Sequence, residues 1–225
     1  MSRRVLLFDV NETLLDLAAL DPHFEAAFGD KHARREWFAT MLRSAFLVTI
    51  TGPYRPFGDH FREALRQTAA SHGVVISAAD AQRILGGVRR LPPHPDVRPA
   101  LERLRAAGFR MAAFTNSTHE VEDEQLANAG IRDLFETTLS ADDGKRLKPA
   151  REAYEHAAKL MGVPVSEVRL IAAHDWDVAG ALRAGARAAF VARPGTIWNE
   201  LVDRPDVWGV DLEDVAEQII ARDTP

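Results

Sequence analysis

Apolar and polar positions along the chain follow two patterns: short unbroken apolar runs, and apolar residues spaced three or four apart. The first run is Val5 to Phe8, and such a run is typical of a strand buried on both faces of a parallel sheet. From residue 96 onward the two patterns alternate along the chain. They predict strands at 109–114, 135–139, 168–172 and 188–191, and helices at 97–107, 121–128, 149–161, 176–184 and 211–221. This alternation with short connections favours an α/β fold with a right-handed, doubly wound, mostly parallel sheet.

Between the first strand and this region, the pattern is helical only. Helices are predicted near 17–28, 31–48, 57–71 and 77–88. The Pro-rich link Leu91-Pro92-Pro93-His94-Pro95 then excludes a continuous helix. We therefore predict a Rossmann-like core formed by residues 1–14 and 94–225, and an inserted all-helical cap formed by residues 15–93.

Composition narrows the class of protein. The 225 residues are 46% hydrophobic and 27% charged, with a net charge of -5 and no cysteine. The absence of cysteine excludes disulfides, thiolate chemistry and Cys-ligated metals. Mixed charges without a basic field indicate neither nucleic acid nor a membrane as partner. Without a recognisable signal peptide, the expected location is cytoplasmic, and the apolar face of the 31–48 helix could serve a homodimer.

Polar residues follow the predicted strands at their carboxyl ends, where open α/β sheets bind ligands. Asp9 follows the first run, where a carboxylate is a candidate nucleophile, although Asp is also a common helix N-cap. Thr115 and Asn116 follow the 109–114 strand. Their hydroxyl and nearby amides could hold a substrate carboxylate, or they could form a plain turn.

The motifs resemble a known family. FDVNETLLD, at residues 8–16, resembles the first signature of the haloacid dehalogenase-like hydrolases, whose opening Asp attacks the substrate. Phe114-Thr115-Asn116, Lys148-Pro149 with Tyr154, and residues 172–177 resemble the later signatures in the same order. The helical block matches the family's cap in place and size.

Asn11 points to one branch of this family. Phosphatases of the superfamily carry a second Asp at this position as general acid and base, whereas a carboxamide cannot protonate a leaving alkoxide. A halide leaving group needs no proton. The resemblance therefore implies a type II 2-haloacid dehalogenase, a branch whose usual Tyr and Gly are replaced here by Asn11 and Glu12.

The resemblance also implies roles for individual residues. Asp9 would displace halide from a small 2-haloalkanoate and form an ester, which water would hydrolyse to a 2-hydroxy acid. Lys148, Thr13 and Asp177 would hold Asp9 and the water. His174 replaces the usual Asn and could position or activate the water. The expected substrate-binding residues are Val10, Asn11, Arg34, Trp37, Phe57, Thr115, Asn116, Tyr154 and Trp176.

Several of these assignments have structural alternatives. In the branch, a cap arginine receives the halide, but that position is Ala33 here. Its neighbours Arg34 and Arg35 are candidates, and either could equally be a surface charge. Trp37 and Phe57 could line the pocket or fill the core of the cap. Tyr154 could be a buried structural tyrosine.

The resemblance gives no support to a metal or cofactor. Superfamily phosphatases bind magnesium with two acids four residues apart, and the corresponding residues here are Ala173 and Asp177, which leaves few carboxylates for Mg²⁺. The alternatives are a magnesium-dependent phosphatase that uses Asp9, the carbonyl of Asn11 and Asp177, or a degenerate member that only binds a ligand.

Overall fold

A computed structural model describes residues 3–224; residues 1, 2 and 225 of the predicted core lie outside the described residues. The strands are β1 (Val5–Phe8), β2 (Met111–Thr115), β3 (Thr137–Ser140), β4 (Val168–Ala172), β5 (Arg187–Val191) and β6 (Val207–Gly209). The helices are α1 (Asp21–Phe28), α2 (Ala33–Thr51), α3 (Phe57–Ser71), α4 (Ala78–Gly87), α5 (Val97–Ala106), α6 (His119–Asn128), α7 (Arg151–Leu160), α8 (Asp175–Ala184) and α9 (Leu212–Asp223).

The strands form one parallel sheet in the order β3-β2-β1-β4-β5-β6. The chain winds outward from β1 in one direction and then in the other, which confirms the predicted doubly wound α/β fold. Phe8 is in register with Ala113 on one side and Ile171 on the other. Asp9 therefore leaves the sheet at the point where the strand order reverses, which is where such sheets form a ligand crevice.

Alternate residues of β1 enter two apolar layers. Leu6 and Phe8 pack with the buried faces of α5, α6 and α9, whereas Val5 and Leu7 pack with those of α7 and α8. All four side chains are at most 2% exposed. Burial on both faces explains why β1 is an unbroken apolar run and makes it a rigid base for Asp9.

Helices α1 to α4 pack together over the carboxyl end of the sheet, as the predicted cap would. The chain leaves and re-enters the sheet domain through paired backbone segments: the amide of Asp16 donates to Pro92 (2.8 Å) and that of His94 donates to Leu14 (3.0 Å). The division into a core of 1–14 and 94–225 and a cap of 15–93 stays a prediction, and this crossing supports it. Within the described residues, no helix combines the length and hydropathy needed to cross a membrane.

Strand β6 is the element that the sequence pattern does not predict. It has three residues and pairs only with β5, through Val207 to Ala189 and Trp208 to Phe190. So short an edge strand shows no periodicity of its own, and its position depends on the packing of Trp208 against Phe190, with ring centroids 4.4 Å apart.

Candidate active site

Asp9 is the centre of a buried cluster at the carboxyl end of β1. Its Oδ1 accepts from Lys148 Nζ (2.9 Å), and its Oδ2 accepts from Thr13 Oγ1 (2.7 Å) and from a ring nitrogen of His174 (3.1 Å). Burial by itself would raise the pKa of Asp9, but the Lys148 ammonium and the hydrogen bonds from His174 and Thr13 hold that pKa well below its usual range. Asp9 is therefore ionised at neutral pH while only 5% exposed, as a carboxylate nucleophile must be.

Lys148 joins the carboxyl ends of three strands. Its ammonium donates to Asp9, to Asp177 Oδ2 (2.6 Å) and to the carbonyl of Phe114 (3.0 Å). Burial would lower the pKa of Lys148, but the carboxylates of Asp177 and Asp9 outweigh it and raise the pKa above its ordinary value. Because an ammonium has three donors, Lys148 fixes Asp9 and has no donor left for a substrate.

Thr13 fixes Asp9 from the other side. While its hydroxyl donates to Asp9, it accepts from the amide of Ala173 (2.9 Å). The loop after β1 is thereby joined to the end of β4. The structure brings together the four residues predicted to form one group: Asp9, Thr13, Lys148 and Asp177.

Tyr154 does not line the pocket; it positions Asp177. Its hydroxyl lies 2.6 Å from Asp177 Oδ1 and is fully buried behind the cluster. Burial, followed by the negative charge of Asp177, raises the pKa of Tyr154 well above its ordinary value, so the hydroxyl remains a donor. Gly180 on α8 gives Tyr154 the space to reach Asp177.

Substituting Gly180 with Ala tests this arrangement. A Cβ atom there would lie 2.7 Å from Pro149 Cβ and even closer to the Tyr154 hydroxyl. We expect Gly180→Ala to lower the free energy of unfolding by about 1–3 kcal/mol through overpacking, measured by urea denaturation, and to lower activity because Asp177 shifts. Gly86→Ala is the matched control, since a Cβ atom there would meet no neighbouring segment of the described chain within 4 Å and Ala favours a helix. Equal stability of the two variants would contradict the proposed role of Gly180 in making space for Tyr154.

His174 lies between two carboxylates. One ring nitrogen contacts Asp9 and the other lies 3.0 Å from Glu12 Oε2. Burial lowers the pKa of His174, but the hydrogen bonds to Asp9 and Glu12 outweigh it and raise the pKa to about 10. His174 is therefore an imidazolium at neutral pH as long as Asp9 is charged.

Glu12 is a site residue that the sequence analysis did not identify. Its backbone has φ 61°, a left-handed conformation that costs most residues about 1–3 kcal/mol and that Gly adopts freely. The family usually has Gly at this position, so its replacement by Glu was the available signal. The conformation brings the Glu12 carboxylate to His174.

The ionic groups of the site, all buried except the partly exposed Glu12, form a chain of alternating sign. Arg34 Nη1 lies 3.5 Å from Glu12 Oε1, and the Arg34 guanidinium also pairs with Asp21. In order, the chain is Asp177, Lys148, Asp9, His174, Glu12 and Arg34. Each charge has opposite charges as neighbours, which offsets the cost of burying it.

The pocket above Asp9 is small and closed by the cap. Its volume is about 20 Å³, room for about one water molecule. Phe38, Leu42 and Phe57 line it from the cap, and Trp176 stacks on His174 with ring centroids 5.1 Å apart. The lining comprises Asp9, Asn11, Phe38, Leu42, Phe57, Thr115, Asn116, Lys148, His174 and Trp176.

Besides Tyr154, three other expected substrate-binding residues are not brought to this pocket. Trp37 is fully buried in the core of the cap, where its indole donates to the carbonyl of Phe61 (3.1 Å); its neighbour Phe38 reaches the pocket instead. Arg34 is held by Glu12 and Asp21 outside the lining. Val10 is fully buried and packs in the apolar core.

Thr115 and Asn116 line the pocket in different ways. Thr115 Oγ1 accepts from the amide of Ser117 (3.2 Å), which leaves its hydroxyl hydrogen for a ligand. The side chain of Asn116 accepts from the Lys148 amide (2.7 Å) and donates to the Lys148 carbonyl (3.2 Å). Asn116 thus fixes the backbone of Lys148 and does not offer its side-chain amide freely.

The residues at this edge do not fit a magnesium ion. Asp9 Oδ2 is already held by Thr13 and His174, and Asp177 Oδ1 by Tyr154. Ala173 supplies no side-chain oxygen. An imidazolium between Asp9 and Glu12 already supplies positive charge there, so a hard cation that needs several oxygen ligands finds neither the ligands nor the charge.

Fold and site together define a hydrolase class. The chain belongs to the haloacid dehalogenase-like hydrolases, since a family model of that description matches residues 4–185. This confirms the resemblance seen in the sequence.

Comparison with individual proteins gives relatives of similar length. (S)-2-haloacid dehalogenase H-109 of Pseudomonas putida is 27% identical over 217 residues, covering 96% of this chain and 97% of that protein. Haloacetate dehalogenase H-2 of Moraxella sp. (strain B) is 28% identical over 218 residues, with 96% and 97% covered. The structure of L-2-haloacid dehalogenase from Xanthobacter autotrophicus with chloropropionic acid covalently bound matches with a TM-score of 0.91 at 23% identity. It covers 99% of this chain and 100% of that one, which shows the shared fold.

Proposed function

We propose that the protein hydrolyses the carbon–halogen bond of small 2-haloalkanoic acids and releases 2-hydroxy acids. The observation that carries this proposal is an ionised Asp9 in a closed pocket that also contains Asn11, two residues further along the chain. The Asn11 carboxamide cannot protonate a leaving group. The names of the relatives support the substrate class. Residues of this chain account for both steps of the reaction.

In the first step Asp9 displaces halide. Oδ1 has one donor, Lys148, whereas Oδ2 has two, Thr13 and His174; the less encumbered Oδ1 is therefore the attacking atom. A bond forms between Oδ1 and C2 of the substrate as the C2–halogen bond breaks, and halide leaves with the bonding pair. The Thr115 hydroxyl and neighbouring backbone amides would hold the substrate carboxylate.

In the second step the ester changes the charge next to His174. Once Asp9 is esterified it no longer stabilises the imidazolium, so the pKa of His174 falls and its proton passes to solvent as the net proton of the reaction. Neutral His174, held by Glu12, then takes a proton from water as the water attacks the Asp9 carbonyl. The imidazolium passes that proton to the departing alkoxide, and the restored Asp9 carboxyl group returns its own proton to His174.

Access to Asp9 requires movement of the cap. A cavity of about 20 Å³ is too small for a haloacid, so Phe38, Leu42 and Phe57 must move to admit one. Once closed, the same apolar side chains exclude bulk water from the halide-displacement step. A wider cleft of about 490 Å³ lies between Pro56, Arg89 and Ser117, but its lining contains none of the charged cluster.

Halide release and phosphate release, measured side by side, test this function. Chloroacetate and both enantiomers of 2-chloropropionate serve as haloacids, and p-nitrophenyl phosphate as the phosphate ester, each with and without EDTA. We expect halide release that EDTA does not affect. Metal-dependent phosphate release without halide release would favour a phosphatase, and no turnover of either would favour a binding role.

The charge of His174 predicts how stability depends on pH. Because its pKa is raised to about 10 in the folded chain, its contribution to stability is complete below its ordinary pKa of about 6.5 and is lost as the pH rises through about 10. We expect the difference in free energy of unfolding between the wild type and His174→Gln to shrink across this window in urea denaturation. A difference that does not change with pH would contradict the assignment.

We also infer a cytoplasmic location and a homodimer. The acidic, cysteine-free composition suits a reducing compartment. Leu47 and Ile50 at the end of α2 are 59% and 83% exposed, and such apolar side chains on a surface helix suit burial in a dimer. Light scattering of the wild type and of Ile50→Glu tests the dimer, which the substitution would dissociate.

A further inference from the structure

One pocket group has hydrogen-bond donors that no other residue uses within the described part of the chain. Asn11 lines the pocket at 7% exposure, and its Oδ1 accepts from Gln125 Nε2 (3.0 Å). Within residues 3–224, its Nδ2 finds no acceptor. The two N–H groups of this carboxamide are therefore available to a ligand.

Gln125 fixes which end of Asn11 faces the pocket. Gln125 Nε2 also donates to the carbonyl of Val88 (2.8 Å). A carbonyl can only accept, so the nitrogen end of Gln125 must point to Val88 and to Asn11. Asn11 must then turn its oxygen towards Gln125, which is fully buried, and its Nδ2 lies at the opposite end of the amide.

The positively charged groups near the pocket are already engaged. Lys148 uses its three donors on Asp9, Asp177 and the Phe114 carbonyl. His174 lies between Asp9 and Glu12. The guanidinium of Arg34 pairs with Glu12 and Asp21, outside the pocket lining.

The backbone pairings of Asn11 place it beyond the end of β1, next to the crossing between the sheet domain and the cap. Backside attack by Asp9 sends the halide away from the sheet edge. The register places Thr115 about one residue beyond the level of Asp9, whereas Asn11 lies two residues along the loop and pairs with Leu15, which in turn pairs with Pro93 at the crossing to the cap. Thr115, at the sheet edge, is therefore placed to bind the substrate carboxylate. Asn11, further from the sheet, is placed to bind the departing halide.

We propose that the Asn11 carboxamide, held by Gln125, receives the halide as the C2–halogen bond breaks. This inference rests on the proposed dehalogenase function and specifies its leaving-group site. As Asp9 Oδ1 bonds to C2, the halogen departs with the bonding electron pair, and the Asn11 N–H groups donate hydrogen bonds to the developing anion. No proton is transferred, so an amide performs this role at any pH at which Asp9 is ionised. Gln125 is a positioning residue that acts through Asn11.

The test is the dependence of kcat/KM on the halogen, since kcat/KM reports the step up to irreversible halide loss. Asn11→Leu removes the donors with little change of shape, and Gln125→Met removes the support for Asn11. Gln218→Met is the matched control, because Gln218 donates to the Trp208 carbonyl far from the pocket. The substrates are 2-chloro-, 2-bromo- and 2-iodopropionate, and circular dichroism verifies that each variant is folded.

Chloride accepts hydrogen bonds more strongly than iodide. The loss of a donor should therefore slow the departure of chloride more than that of iodide. We expect Asn11→Leu to lower kcat/KM about 100-fold for the chloro acid and less than about 10-fold for the iodo acid. Gln125→Met should show the same trend with a smaller amplitude, and Gln218→Met should leave all three values within about twofold of wild type. Inhibition by added chloride should also weaken in Asn11→Leu and Gln125→Met.

An equal loss for all three halogens, or none, would overturn the proposal; an equal loss would mean that Asn11 holds the substrate carboxylate or only supports the loop. The failure of the proposed function has a different signature, because the wild type would then release no halide from any of the three acids. If Asn11→Leu does not fold, Gln125→Met and the chloride inhibition decide the question.

Discussion

Asp9→Asn is expected to abolish halide release from every 2-haloalkanoate that the wild type uses, with kcat/KM reduced by about 10⁴-fold or more. The substitution keeps the size of the side chain and removes the charge that attacks carbon. The neighbouring carboxylates cannot replace it: Asp177 is fully buried behind Lys148 and Tyr154, and Glu12 is not among the residues that line the pocket. Ion chromatography of released halide measures the effect.

A surface substitution of the same chemistry is the control for Asp9→Asn. Asp143→Asn removes a carboxylate that pairs with His119 on the surface and should leave activity within about twofold of wild type. Circular dichroism and a urea melt show whether Asp9→Asn is folded. Folded Asp9→Asn protein that still releases halide at a rate near the wild-type rate would refute a covalent role for Asp9.

His174→Gln is expected to separate the two steps. Asp9 remains ionised beside Lys148 and Thr13, so the first step proceeds and each protein molecule releases about one halide. Without the imidazole, attack of water on the ester slows by about 10²–10⁴-fold, and the ester accumulates. Intact-protein mass spectrometry should show the added carboxyalkyl group, and a peptide digest should locate it on Asp9.

Glu12→Gln refines the same experiment. It keeps a side chain that can bond to His174 but removes the charge that helps to hold the imidazolium. We expect ester hydrolysis to be slowed less than in His174→Gln, with a changed pH dependence, because Glu12 acts through His174. Multiple rapid turnovers in His174→Gln would mean that another group activates the water.

The sequence was most informative where one local pattern determined the structure. The apolar run before Asp9 is a strand because both faces of β1 are covered, and the helical spacing of residues 17–88 gives the helices over the sheet edge. The grouping of Asp9, Thr13, Lys148 and Asp177 follows from parallel strands that end at one edge. These three features can be predicted from the spacing of apolar residues and the common direction of parallel strands.

The remaining features depend on contacts between segments that are distant in the sequence. Gln125 meets Asn11 across 114 residues, and no pattern in α6 distinguishes it from a surface glutamine. Trp37 and Phe38 are adjacent, and only the rotation of α2 decides that Trp37 fills the cap and Phe38 reaches the pocket. Glu12 needed a left-handed backbone to reach His174, a conformation that its residue type does not suggest.

A single turnover in H₂¹⁸O tests the central claim most directly. With enzyme in excess over chloropropionate, water that attacks the Asp9 carbonyl must leave its oxygen in the protein. We expect the peptide that contains Asp9 to gain one ¹⁸O, while the 2-hydroxy acid formed in that first turnover contains none. Label in the hydroxyl group of the product, with Asp9 unlabelled, would show that water attacks the substrate directly and would contradict the ester mechanism.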